Sequence, residues 1–292
     1  MSRVLFYLVI KPLSLLPLSV LYLISNWFYY LVYYFIGYRK RVVLQNLQKS
    51  FPHYSDLEVT SISKLFYRHL GDIIVESIKM FSMSEAEAIR RCRIRNPELL
   101  NDFFDRGKSI VLVGSHYGNW ELASISAPNQ LKHQIGSIFL RLNNAYFNEK
   151  ITKSRSRYGC ELILKNRIPK FFEESNSNPV ALVFIADQSP NYNSKMDNLY
   201  WTQFLNQETV TATGVERSAR KYNLPVVYFQ VFKQRRGYYE VQFELVTDDP
   251  NNLPDGEITN RHLRCLEKLI TDQPEYWLWS HRRWKHKKSH SA

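Results

Sequence analysis

The sequence predicts an α/β fold: an N-terminal membrane helix and a helical lead-in, then a largely parallel or mixed sheet flanked by helices. Three observations predict it. Pro12 to Tyr38 is a run of 27 residues without a charge, bounded by Lys11 and by Arg39-Lys40-Arg41. Apolar residues then recur at helical spacing from Val59 to Ile78. Beyond residue 108, short apolar runs alternate with helical patterns, the signature of strands connected by crossover helices.

Taken in order, the uncharged run comes first. At about 1.5 Å per residue a helix of that length exceeds the roughly 30 Å hydrocarbon core of a bilayer. Tyr22, Trp27, Tyr29, Tyr30, Tyr33, Tyr34 and Tyr38 supply aromatic groups suited to an interface. The run is too long for a cleaved leader and no small-residue cleavage site follows it. A kinked or shallow insertion around Pro17 and Asn26 is the alternative to one spanning helix, because proline removes a helix hydrogen bond and asparagine is costly in lipid. The positive cluster behind the run, denser than Arg3 and Lys11 ahead of it, places the main domain in the cytoplasm. The chain divides into an anchor, residues 1–41, and one cytoplasmic domain, residues 42–292, with no linker or repeat to split the latter.

Ser55-Asp56-Leu57-Glu58 is a capping-box pattern opening the long amphipathic helix. Ser84 with Glu87 offers a second cap, and Asn96-Pro97-Glu98 starts a helix that Gly107 should stop. Strands are expected at Ser109 to Gly114, Ile135 to Leu140, Val180 to Ala186, Pro225 to Val231 and Tyr239 to Val246. Helices are expected between them, near Ala145 to Tyr158, Ile168 to Ser175 and Thr211 to Tyr222.

The chemistry-bearing residues fall at the ends of these strands. His116 follows the first one, in His-Tyr-Gly-Asn-Trp-Glu, and Glu121 lies five positions on. In open α/β sheets the carboxyl edge is where ligands bind. A neutral imidazole there can take a proton from a hydroxyl while a carboxylate fixes its tautomer. The plain alternative is a histidine at a helix start with Glu121 merely favourable near the helix amino terminus, and spacing does not decide between the two. Backbone N–H groups near Gly118 and Asn119 are candidates to hold an oxyanion. Arg141 ends the second strand, at the same sheet edge, where a planar guanidinium can clamp a phosphate or carboxylate. Lys150, Lys153 and Arg157 share a helix face that reads as solvated. Asp187-Gln188 ends the third strand and points to the same edge; a metal reading is weak there, since no second carboxylate falls at a ligand spacing.

His116 to Glu121 resembles the His-x4-Asp/Glu signature of the lysophospholipid acyltransferase superfamily, and the Gly-Asn-Trp-Glu ending is similar to the late lauroyl and myristoyl acyltransferases of lipid A biosynthesis in Gram-negative bacteria. Asn46-Leu47 with Phe51-Pro52, Glu76, Arg141, Ala186-Asp187-Gln188 and Trp279-Ser280-His281-Arg282-Arg283-Trp284-Lys285 fit in order, so the resemblance covers nearly the whole chain. Asn191 to Leu199 departs from the glycine-rich stretch of those enzymes, which puts the acceptor in doubt, while Trp201 to Leu205 and Thr211 recover the pattern. The resemblance implies a glycerol-3-phosphate acyltransferase-like fold and acyl transfer with His116 as base oriented by Glu121. It further implies acceptor positioning by Asp187 and Gln188, acyl carrier protein or acyl-CoA as donor, a lipid A precursor or other glycolipid or aminolipid acceptor, and location at the cell inner membrane. It implies no cofactor.

Composition bounds the rest. With 39 Lys and Arg against 27 Asp and Glu, the formal charge is +12 and asks for anionic company. No nucleic-acid-binding module accompanies the basic residues, so nucleic acid is excluded as partner. Cys92, Cys160 and Cys265 are widely separated and read as small hydrophobes in a reducing compartment. Trp277, Trp279 and Trp284 among Arg282, Arg283, Lys285, Lys287 and Lys288 suit contact with an anionic leaflet. The reading outside enzymology is a membrane-tethered basic binding protein.

Overall fold

The computed structural model describes residues 2–175, 178–191 and 199–288. Most of the stretch from Asn191 to Leu199 lies outside the described residues.

Helical turns α1 (Ser2–Leu5) and α2 (Lys11–Leu15), joined by a π-helical turn, end where Leu16 turns extended ahead of Pro17. Proline at that point caps the next helix, α3 (Leu18–Tyr30), which runs on through a π-helical turn to Ile36. Leu18–Ile36 is long and apolar enough to cross a membrane. The uncharged run is therefore two helical pieces hinged at Pro17, and Asn26 sits within an unbroken helix. Short α4 (Lys40–Ser50) leads to α5 (Asp56–Lys79), whose capping box forms as expected: Ser55 accepts from the Glu58 backbone N–H and Glu58 reaches back to that of Ser55.

Helices α6 (Glu85–Arg91) and α7 (Glu98–Asp105) and strand β1 (Cys92–Ile94) precede the central strand β2 (Ile110–Gly114). After it come α8 (Trp120–Ser126), β3 (Gln134–Ile138), α9 (Ala145–Arg155), β4 (Glu161–Ile163), α10 (Ile168–Glu174) and β5 (Val180–Ile185). A hairpin, β6 (Leu199–Phe204) and β7 (Gln207–Ala212), leads through α11 (Gly214–Tyr222) to β8 (Val226–Arg235), β9 (Tyr238–Thr247) and α12 (Glu257–Asp272). The main sheet has seven strands in the order β1-β9-β8-β2-β5-β3-β4. Five of them, β8 to β4, run parallel; β9 is antiparallel to β8 and β1 parallel to β9.

Every expected strand forms, with ends shifted by a few residues. The short edge strands β1 and β4 and the β6–β7 hairpin have no counterpart in the sequence reading. Residue 211 belongs to β7, so α11 starts three residues later than expected. Strand β2 is buried along its whole length, and alternation divides its side chains: Val111 and Val113 join one core with Leu263, Leu266 and Phe66, whereas Ile110 and Leu112 join the other with Phe103 and Leu122. The three thiols are unpaired, with Cys92 and Cys160 buried in ordinary packing.

Candidate active site

Strands β2 and β5 are parallel neighbours in register, Gly114 opposite Ile185, and Ala186 donates to the Gly114 carbonyl just past the pair. His116 and Asp187, each two residues beyond a paired position, are thereby brought side by side at the carboxyl edge. Imidazole Nδ1 lies 2.7 Å from Asp187 Oδ1, and the His116 backbone N–H donates to Oδ2 at 3.1 Å. Trp277 Nε1 donates to the same Oδ2 at 2.9 Å. Asp187 is 3% exposed, so its carboxylate is held by three donors inside the protein. Burial works to raise its pKa; the His116 charge and the three hydrogen bonds outweigh burial and hold it below the usual carboxylate range. Burial likewise works to lower the imidazole, but Asp187, with Glu121 adding, holds it above the ordinary histidine value.

A carboxylate on Nδ1 fixes the tautomer with the proton there, leaving Nε2 as the basic nitrogen. Gln188 Nε2 stands 3.3 Å from His116 Nε2, and the Trp120 indole packs edge-on against the imidazole at 5.0 Å between centroids. His281 is pushed down to about 4 by burial and so stays neutral; its Nε2 accepts from the Ser189 backbone N–H, steadying the loop that carries Asp187 and Gln188.

Glu121 is paired elsewhere in this geometry. Its carboxylate takes the Nε–Nη2 edge of the Arg155 guanidinium, with Arg155 Nε at 2.8 Å, and the hydrogen bond to His116 Nδ1 is made by Asp187. The physical reason is direction: Glu121 lies in the first turn of α8 and faces α9, whereas Asp187 stands on the strand next to the one carrying His116. The Glu121–Arg155 pair still lies within electrostatic reach of His116, Glu121 raising and Arg155 lowering its pKa.

Gly118 and Asn119 lie inside the loop that carries His116. Both are buried, and the Gly118 N–H is taken by the Tyr276 carbonyl at 3.1 Å. Gly118 adopts φ +61°, and a Cβ there would stand 2.4 Å from the Val231 carbonyl oxygen, so the position needs glycine. Asn119 caps α8 by accepting from the Leu122 N–H and donates its amide to Glu76. Through these bonds the two residues help to hold the His116 loop.

The carboxyl-terminal tryptophans are corrected. Trp277 and Trp279 are 1% and 0% exposed, and residues 276–278 pair with 116–118 through Gly118 N–H to Tyr276 O and Leu278 N–H to His116 O. The amide of Asn46 secures the segment by donating to the carbonyls of Trp279 and His281. Arg283 is buried, its Nη1 donating to Thr209 Oγ1 and the Val210 carbonyl. The aromatic cluster builds a wall beside the His116 loop, while Arg282, Lys287 and Lys288 are exposed.

Arg141 lies exposed just past β3, at the same edge two strands from β2. Just past the following helix, α9, Arg157 is spent on the Met83 and Phe81 carbonyls, and the cation that reaches toward the site is Arg155 at the helix's last position. Nothing in the helical spacing set Arg155 apart from Lys150, Lys153 and Arg157; its role depends on α9 packing beside α8.

A groove of about 500 Å³ opens beside His116. Phe28, Val32 and Ile36 of the Leu18–Ile36 helix and Leu70 and Ile74 of α5 line its apolar side, and Gln188 and His281 its polar end. A second cavity of about 310 Å³, around His133 and Gln134, lies at the opposite, amino edge of the strands. A histidine on a sheet edge, its Nε2 beside the Gln188 amide that lines an apolar groove of ligand size, suits a hydroxyl on a lipid.

The comparison with known families decides among such lipid chemistries. The sequence profile of the bacterial lipid A biosynthesis acyltransferases matches residues 2–286. The chain belongs to that family. No curated protein matches it. This lipid A biosynthesis acyltransferase is thus an enzyme, and the binding-protein reading falls away.

In the acyltransferase the Glu121–Arg155 pair has its own expected result. Glu121→Gln and Arg155→Met should each lower turnover about tenfold, and the double variant should be little worse than either, because neighbours sharing one interaction do not add. Steady-state rates for the four proteins check this; full additivity would show that the two residues act separately.

Proposed function

We propose that the chain is a membrane-bound O-acyltransferase moving a fatty acyl group from an acyl thioester, carried by acyl carrier protein, to a hydroxyl of a lipid A precursor. His116 Nε2 takes the proton of the acceptor hydroxyl, whose oxygen attacks the thioester carbonyl carbon. The tetrahedral intermediate collapses with cleavage of the C–S bond, and the proton passes from His116 to the leaving thiolate. Asp187 holds the tautomer and stabilises the imidazolium, in place of the Glu121 first expected, and no cofactor takes part. The observation that carries this reading is the His116–Asp187 pair with Nε2 3.3 Å from the amide of Gln188, a residue that lines the polar end of the groove.

The groove supports a lipid reactant because the Leu18–Ile36 helix forms one wall: a chain lying in the membrane meets the base without leaving apolar surroundings. Trp27 and Phe35 are exposed on that helix and suit seating at the cell inner membrane, with residues 42–292 as the cytoplasmic acyltransferase domain. The charge of +12 favours the acidic surface of a carrier protein as donor.

The test is transfer of labelled acyl groups from acyl carrier protein, and separately from acyl-CoA, to a total membrane lipid extract, with products identified by mass. An acylated lipid A precursor is expected, from the carrier-protein donor. A different acylated lipid would replace the acceptor, and exclusive use of acyl-CoA would replace the donor. In the same assay Arg141→Ala should raise the KM for the acceptor about tenfold or more, since a guanidinium on a phosphate contributes about 1.5–3 kcal/mol. Unchanged KM and turnover would remove Arg141 from the acceptor site.

A further inference from the structure

One polar cluster lies outside the reaction described above. Glu76 of α5 is 2% exposed, yet its carboxylate accepts from three elements at once: Tyr22 Oη of α3 at 2.8 Å, Tyr239 Oη of β9 at 2.8 Å, and Asn119 Nδ2 of the His116 loop at 2.6 Å. Asn119 is the residue that caps α8 directly after the catalytic loop. One turn earlier on α5, Asp72 accepts from Ser25 Oγ of α3 at 2.8 Å and from Lys233 and Arg236. Asn26 Oδ1 accepts from Arg236 at 2.9 Å. Ser25 and Asn26 of the apolar helix thus bond to the protein body, and Gly71 allows the approach: a Cβ there would stand 2.9 Å from Ser25 Oγ.

We propose that Glu76 is a positioning residue for acyl transfer, and that Tyr22 makes the docked apolar helix a working part of the active site rather than only an anchor. Burying a carboxylate is costly unless every lone pair finds a donor. Glu76 therefore keeps its place only while Tyr22 and Tyr239 are present, and Asn119 keeps its amide in register only while an acceptor stands at residue 76. Through Asn119 the seating of the helix fixes the start of α8 and with it the loop carrying His116. A helix adrift in the bilayer leaves the base misaligned, so the enzyme works only when assembled against the membrane segment that delivers its lipid. The kinetic part of this inference rests on the acyl-transfer reading; the loop geometry does not.

Full-length protein in detergent carries the test, as Tyr22→Phe, Glu76→Gln, Glu76→Leu and the double variant Tyr22→Phe/Glu76→Leu. Tyr22→Phe should lower kcat about 5- to 10-fold with KM within about twofold, as expected for the loss of one buried hydrogen bond. Glu76→Leu should cost about 10²-fold, the penalty of a small misplacement of a reacting group, and the double variant should match it. Glu76→Gln keeps an acceptor for Asn119 and should recover most of the loss. Independently of substrate, the pH dependence of His116 modification by diethyl pyrocarbonate, read by mass spectrometry, should shift to lower pH in Tyr22→Phe and further in Glu76→Leu. Folded Tyr22→Phe and Glu76→Leu with kcat within about twofold of wild type, or a change confined to KM, would overturn the proposal, as would an unmoved His116 titration. Should Glu76→Leu fail to fold, Tyr22→Phe and Glu76→Gln decide alone. Absence of any acyl transfer by wild type would refute the functional reading while the His116 titration still decides this one.

Discussion

His116→Ala should lower turnover by about 10²- to 10⁴-fold, the range a positioned general base contributes. The fold should survive. His116 has a partly exposed side chain, and its removal leaves Asp187 with two of its three donors, the residue 116 backbone N–H and Trp277 Nε1. The loop itself is held by backbone pairing to residues 276–278, which the substitution does not touch. A melting temperature near wild type with turnover reduced by orders of magnitude is therefore the expected pair of results, measured with a labelled acyl thioester and a lipid acceptor. Near-normal turnover in the folded variant would refute His116 as the base. Because the residual rate comes from binding and orientation alone, KM for both substrates should change little.

How much of this site the sequence discloses depends on the range of each interaction. His116 and Asp187 both follow uninterrupted apolar runs, Ser109 to Gly114 and Val180 to Ala186, so their placement at a carboxyl sheet edge is local information. That β2 and β5 are adjacent is not local. The chain passes through β3, α9, β4 and α10 before returning, and strand order is set by which faces the helices bury. Glu121 attracted the orienting role because it is near in sequence; Asp187 holds it because it is near in the sheet.

The same distinction explains the carboxyl terminus. Tryptophans among cations read as a surface for an anionic leaflet when the segment is taken alone. In the fold, residues 276–278 form a bridge with the catalytic loop, and the indoles fill the space between that loop and the β6–β7 hairpin, Trp277 stacking edge-on against Phe204. Composition gives no sign of that partner, since the hairpin reads as neither a clean alternation nor an apolar run. Asn26 shows the reverse case: costly in lipid as a sequence feature, it is satisfied by Arg236, more than two hundred residues away.

Asp187→Asn separates orientation from charge and should lower turnover by about 10²- to 10⁴-fold with little change in shape. The amide can turn its NH₂ toward Nδ1, which then must accept; the imidazole proton moves to Nε2, and the nitrogen facing the acceptor is no longer basic. The sign of the pH effect follows from the shift. In wild type Asp187 holds the His116 pKa above its ordinary value, so kcat/KM should rise with pH through a limb lying above about 6.5, as the imidazolium loses its proton. Without the carboxylate only Glu121 is left to oppose burial and Arg155, so the limb should move to lower pH even as the plateau falls. Asp187→Glu keeps the charge but displaces it by a methylene from donors fixed at three points, and should fall between wild type and Asp187→Asn while retaining a raised limb. The pH profiles of kcat/KM for the three proteins make the measurement. A limb that stays in place in Asp187→Asn would show that another anion holds the proton on His116, and Glu121, the next carboxylate acting on it, would regain the role that the hydrogen bond gives to Asp187.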